Sequence, residues 1–252
     1  MVFEFINQGL DYLLSPLLGL PSIVAVIIVS LAVSLIITFV YKLVTNQSLM
    51  KDLKTEIKEL QKEMKGLKDN PGEAMKAQKK AMETNMKYMG HSMRPTLITF
   101  IPIILIFGWM NSHFAYEPIS PGESFEISAM FDKSAQGQVS LIVPEEMTVD
   151  GEKVKDVQEK VSWIMKGEKE GKYFVDLDYG GEKHEKEVLI TNGKLYSKKN
   201  VPVKNSQLKE INIDYEKKIV LNLLGWKMGW LATYIITSLI STMSLRKIMK
   251  IY

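Results

Sequence analysis

The chain has 252 residues, a net charge of +3 and no cysteine. That length allows one or two domains, and the missing thiols exclude disulfides, thiolate metal sites and cysteine nucleophiles. A charge so close to balance gives no reason to expect DNA as a partner.

Residues 1–20 are mixed. Phe3, Phe5, Ile6, Leu10, Leu13, Leu14 and Leu17 supply an apolar face, and Glu4, Asn7, Gln8 and Asp11 the other. This is too polar to span a bilayer and reads as an interfacial amphipathic segment. Residues 21–41 contain SIVAVIIVSLAVSLIITFVY, without charge or glycine after Pro21. About 20 apolar residues in a helix rise about 30 Å, the thickness of the hydrocarbon core. This is the first transmembrane helix. No Lys or Arg precedes Lys42, so a cleavable signal peptide is not expected.

Residues 42–94 form a charged segment with heptad spacing. Met50, Leu53, Ile57, Leu60, Met64 and Leu67 step by threes and fours. Asn70-Pro71-Gly72 breaks the seam, and a second helix follows with Met75, Met82, Met86, Met89 and Met93 along it. The segment reads as an antiparallel helical (coiled-coil) hairpin. Its methionines either pack on the heptad seam or form a client-contacting face, Met82, Met86, Met89 and Met93, suited to gripping varied apolar segments. Lys62, Lys65, Lys68, Lys76, Lys79 and Lys80 cluster around its tip. Such lysines either solvate the helices or meet ribosomal RNA.

A second transmembrane helix is expected over 95–114, despite Pro102 and Gly108, which membrane helices tolerate. From 115 to 218 the period changes to two. SFEISAMF, KVSWIMKG and KYFVDLDYG alternate, and Asp150-Gly151, Gly180-Gly181 and Asn192-Gly193 punctuate them. This predicts a small antiparallel β domain with Val139, Leu141, Val143, Val161, Trp163, Phe174 and Val175 in its core. Residues 219–245 read as a third transmembrane helix anchored by Trp226, Lys227 and Trp230, and 246–252 as a basic tail.

The expected fold class is therefore an α-helical integral membrane protein with three transmembrane helices, a cytoplasmic hairpin and a small extracytoplasmic antiparallel β domain. Lys42, Arg94, Arg246 and Lys247 adjoin the spans and give the orientation. The N-terminus and β domain lie outside a cell (plasma) membrane, and the hairpin and C-terminus lie in the cytoplasm. On that orientation three hydroxyl stripes share the cytoplasmic half: Ser30, Ser34 and Thr38; Thr96 and Thr99; Thr237 and Ser241, with Thr233 near the middle of its span. Hydroxyls in membrane helices bond back to a carbonyl one turn earlier or let helices pack. Three stripes at one depth favour a polar, uncharged groove open to the cytoplasm and to lipid.

The spans carry no Asp, Glu, Arg or His in their apolar cores, which argues against proton-coupled transport and intramembrane proteolysis. His91, His113 and His184 read as solvent-facing, and no cofactor, metal site or enzyme is expected.

Hairpin, N-out topology and hydroxyl-lined half-spans resemble the YidC/Oxa membrane insertase superfamily, and more closely its archaeal three-span YidC-like members. The resemblance covers residues 22–114 and 219–252. It implies an insertase for short-tailed nascent membrane proteins, which receives their segments in the groove and releases them into lipid. The basic hairpin tip adds the ribosome as an expected partner, and the sequence leaves open whether a second membrane subunit completes the groove. Two features depart from bacterial members: the first span lacks a groove Arg, and the β domain sits between the last two spans. The competing expectation is a membrane adaptor whose coiled coil and β domain bind partners on the two sides. An adaptor has no need of the hydroxyl stripes.

Overall fold

The computed structural model describes residues 9–67 and 70–251. Residues 1–8 of the amphipathic segment, and Lys68 of the basic tip, lie outside the described residues. The chain divides into two compact units, Met1–Trp109 with Leu231–Tyr252, and Met110–Trp230.

The first unit is helical. Residues 9–14 are α-helical and run into a 3-10 turn at Ser15–Gly19, with Pro16 in its first turn. Helix α1 spans Ser22–Val44. Its buried stripe is made of small residues, Ala25, Val26, Val29, Ser30, Val33, Ser34 and Thr38, while Leu35, Ile36 and Phe39 point outward. Small residues let neighbouring helices approach closely, and the bulky ones suit lipid. The chain breaks at Thr45, and Asn46 caps helix α2, Gln47–Gly66, by accepting a hydrogen bond from the Leu49 amide at 3.2 Å.

Helix α3 runs without interruption from Pro71 to Phe114, 44 residues or about 66 Å. The sequence suggests a boundary at Arg94-Pro95, but the helix carries Pro95 and Pro102 in its interior. Each proline removes one hydrogen bond, and the surrounding ladder holds the axis. The first part of α3 lies antiparallel to α2: Lys80 pairs with Glu56 at 3.5 Å, and Tyr88 packs against Met50.

Helix α4, Trp230–Ile248, is shorter than the sequence suggests. Residues 219–229 do not belong to it, which corrects both the expected span over 219–245 and the expected end of the β domain at 218. Strands β10 (Leu221–Leu223) and β11 (Trp226–Met228) form a hairpin there. The two-residue turn at Leu224-Gly225 has φ of 51° and 90°, which no helix accommodates. Helices α1 and α3 are long and apolar enough to cross a bilayer by composition. In α4, six Ser and Thr residues and two terminal cations dilute the apolar residues.

The second unit is an antiparallel sheet domain. One sheet has the order β3-β5-β1-β9-β8 and the other β4-β2-β6-β7. Strands β1 (Ser124–Phe131), β5 (Lys160–Gly167) and β9 (Leu208–Asp214) put Ile127 between Trp163 and Ile213. Strands β2 (Gln138–Ile142), β6 (Gly171–Tyr179) and β7 (Glu182–Ile190) contribute Val139, Leu141, Val175, Leu177, Val188 and Ile190 to the same core. The short strands β3 (Met147–Asp150), β4 (Val154–Asp156) and β8 (Asn200–Pro202) complete the edges. Phe174 is half exposed rather than in the core, because strand alternation turns it outward once Val175 points in. His113 is buried, not solvent-facing.

Candidate functional site

The site is assembled by α1, α3 and α4, which meet through named side chains. Tyr41 Oη and Ser92 Oγ lie 3.3 Å apart and join α1 to α3. The rings of Phe107 and Tyr234 meet edge to face at 4.8 Å and join α3 to α4. Ser34 Oγ donates to the Ser238 carbonyl at 3.4 Å and joins α4 to α1.

The hydroxyls from the three helices divide into two groups. Ser30, Ser34, Thr38 and Thr233 are almost completely buried between helices. Ser30 bonds back to the Val26 carbonyl at 2.7 Å, the usual way a serine settles inside a membrane helix. Thr38 differs, since its Oγ1 is buried without a hydrogen-bond partner among the described residues. Thr99 is buried and bonds to the Pro95 carbonyl at 3.0 Å, and Ser241 to the Thr237 carbonyl at 2.6 Å. Thr237 is half-buried, and Thr96 is exposed and bonds to the Ser92 carbonyl. The structure therefore brings the predicted hydroxyls onto facing helix sides, but most of them are packed rather than open.

An open cleft of about 410 Å³ lies at one end of this seam. Tyr41 and Ile37 of α1 form one wall, Tyr88, Ser92, Thr96, Thr99 and Ile103 of α3 the other, and Arg246 of α4 the floor. The Arg246 guanidinium lies over the Tyr41 ring at 4.6 Å, a cation–π contact, and its Nε is buried without a hydrogen-bond partner among the described residues. Arg246 was legible in the sequence only as an orientation charge, because its distance along the chain from Tyr41 hides their contact. Tyr41, Tyr88 and Ser92 carried no signal that separates them from ordinary helix residues.

The last residues fold back on this end. The Ile251 amide donates to the Arg246 carbonyl at 2.9 Å and the Lys250 amide to the Lys247 carbonyl at 3.4 Å, a Schellman closure with Lys250 at φ 51°. Ile251 then packs with Tyr41 and Met50.

On the hairpin, Ala74, Ala77, Ala81, Thr84 and Tyr88 occupy the side of α3 that faces α2, and Ala77 and Thr84 are buried there. Met75, Met82, Met86, Met89 and Met93 lie on the other side, each more than half exposed. The methionines therefore do not fill the heptad seam; the alanines do. At the tip, Lys62, Lys65, Lys76, Lys79 and Lys80 are exposed, with Lys76 paired to Glu73 and Lys80 to Glu56.

Trp109 is buried, and its Nε1 donates to Asp11 Oδ1 at 2.7 Å. This ties the N-terminal helical segment to α3. In the sheet domain, Tyr196 Oη accepts from the Ala115 amide at 3.1 Å and donates to the Asn111 carbonyl. Burial pushes that phenol up to about 12. Lys186 is buried, bonds to the carbonyls of Lys198 and Lys199, and is pulled down to about 8 by desolvation. Among the described residues no group of acidic, His or Cys side chains is arranged to hold a metal.

Residues 8–130 match the family model described as Integral membrane protein EMC3/TMCO1-like. No curated protein and no solved structure matches the chain. The match takes in α1, α2 and all of α3, and so two of the three helices that build the cleft. Over that segment, just under half of its length, the chain is similar to the EMC3/TMCO1-like integral membrane proteins, part of an insertase-related group linked to membrane-protein insertion and biogenesis.

Proposed function

We propose that the protein is a membrane insertase of the YidC-like kind, with α4 as a third span and the cleft at Arg246 as the entrance for clients. The cleft carries this reading. It brings the Arg246 cation together with five hydroxyl-bearing side chains, Tyr41, Tyr88, Ser92, Thr96 and Thr99, where α1, α3 and α4 meet. A polar segment leaving water needs substitute hydrogen-bond partners, because unsatisfied backbone groups in hydrocarbon cost several kcal/mol each. The outward Ile and Leu residues of α1 and α4 suit lipid or a second membrane subunit, so an apolar client has a short path sideways. No step needs a catalytic group or a nucleotide.

The hairpin serves the same reading. Met82, Met86, Met89 and Met93 form an exposed, adaptable apolar stripe on the arm that continues into the second span. The tip lysines supply a salt-sensitive contact to ribosomal RNA. The orientation follows the span-proximal cations, with hairpin, cleft and C-terminus cytoplasmic.

The test is reconstitution with a short-tailed, single-span client. The triple variant Ser92→Ala, Thr96→Val, Arg246→Gln should lose most insertion while the helices stay folded. Wild-type insertion by that variant would rule out the cleft as the entrance.

A further inference from the structure

The hairpin before α4 is amphipathic. Its register pairs Leu221 with Met228, Asn222 with Lys227 and Leu223 with Trp226. Cross-strand partners share a face, so Leu221, Leu223, Trp226 and Met228 fall on one side and Asn222 and Lys227 on the other. The apolar side is uncovered toward the tip, where Leu223 is 55% and Trp226 76% exposed.

The turn itself breaks two rules at once. A two-residue turn with both φ values positive favours Asn-Gly, because a side chain beyond Asn is strained there. Here the first position is Leu224, at φ 51° and 98% exposed. A leucine both strained and fully exposed is a poor choice for a loop in water. It is a reasonable one for a loop whose tip sits in lipid. Only Gly229 separates the hairpin from Trp230, the first residue of α4. At about 3.4 Å per extended residue, the tip stays within about 17 Å of the helix start. Trp and Lys next to apolar residues are the side chains that favour the bilayer interface.

We propose that the β10–β11 hairpin is a lipid wedge, seated in the leaflet that α4 enters at Trp230. Leu223, Leu224 and Trp226 reach the upper acyl carbons, and Lys227 meets the headgroups from the polar face. The wedge rests on the reading of α4 as a span. It gives the sheet domain a membrane attachment beyond its two flanking helices, α3 and α4.

The absence of cysteine makes the test direct. Leu224→Cys carries a single thiol for an environment-sensitive fluorophore in phosphatidylcholine liposomes. The expected result is blue-shifted emission, strong quenching by lipid spin-labelled near the headgroup, and little quenching by iodide. The same dye at Lys183→Cys, exposed on β7 beside the Gly180-Gly181 turn, should behave as in water. Iodide quenching at Leu224→Cys equal to that at Lys183→Cys, without lipid quenching, would overturn the wedge. A probe at Ile240→Cys, outward-facing on α4, separates the two ideas. Lipid contact at 240 with water at 224 sinks the wedge alone, and water at both sinks the span as well. Trp226→Cys is the second wedge position should Leu224→Cys misfold.

Discussion

Two buried polar groups make opposite predictions about stability. Thr38 keeps a buried hydroxyl between helices with no hydrogen-bond partner among the described residues. Replacing it with the similarly shaped valine removes a desolvated donor, so Thr38→Val should stabilise the helical unit by about 1–3 kcal/mol. Thermal unfolding in detergent checks this, and a lower midpoint would mean that the hydroxyl has a partner in the membrane. Lys186 tests the sheet domain. Its pKa is lowered to about 8, so the native state sheds a proton that the unfolded chain keeps up to about 10.5. The unfolded state then binds more protons between those values, and stability from this residue rises with pH across that window. Compared with Lys186→Met, the wild type should gain unfolding free energy from pH 8 to pH 10, followed by the fluorescence of the buried Trp163. A constant difference would show that Lys186 does not titrate there. Lys250 is an exposed residue whose effect lies in the backbone. It closes α4 with positive φ, so Lys250→Gly should raise stability by about 0.5–1 kcal/mol.

The secondary-structure elements divide labour by side-chain size. In the hairpin, alanines face α2 and methionines face outward. Ala77→Leu should therefore destabilise the hairpin by about 1–3 kcal/mol, since extra methylenes have no room. The triple Met82→Gln, Met86→Gln, Met89→Gln should leave helicity and melting unchanged and lower client crosslinking. Equal loss of stability in both variants would mean that the methionines pack. In α1 the same division separates the Ala, Val and Ser stripe from the outward Leu and Ile residues. Both cases follow from close helix approach, which small residues permit and large ones prevent. The sequence shows the periodicity of each stripe, but either stripe could have faced the neighbour.

For the molecule entire, the decisive question is how many times the chain crosses the membrane. Cysteines at Lys65 and Lys183 should label from opposite sides, whichever way round the protein sits, because one span of α3 separates them. Labelling of both from one side would remove the two-sided arrangement. With α4 crossing as well, a third cysteine at Lys247 should label with Lys65. Its labelling with Lys183 would leave two spans and move Arg246 away from the hairpin side.

Several features were legible without coordinates. The uncharged run of 21–41, the heptad seam and the period-two strands follow from local chemistry: a charge-free run, a repeat of 3.5 and a repeat of 2 each fit one backbone. Strands β1 and β5 coincide with the alternating segments SFEISAMF and KVSWIMKG. What only the tertiary structure decided is which face meets which. Tyr41 and Arg246 are 205 positions apart in the chain, and no local pattern marks them as neighbours. Phe174 and Val175 are equally apolar, and only the sheet pairing chose Val175 for the core. The stretch from 219 to 229 is apolar enough to read as helix, and Leu224 lacks the turn chemistry that would have flagged a hairpin. Local composition sets the kind of element, while burial against distant partners selects the face, and that selection is a property of the folded chain alone.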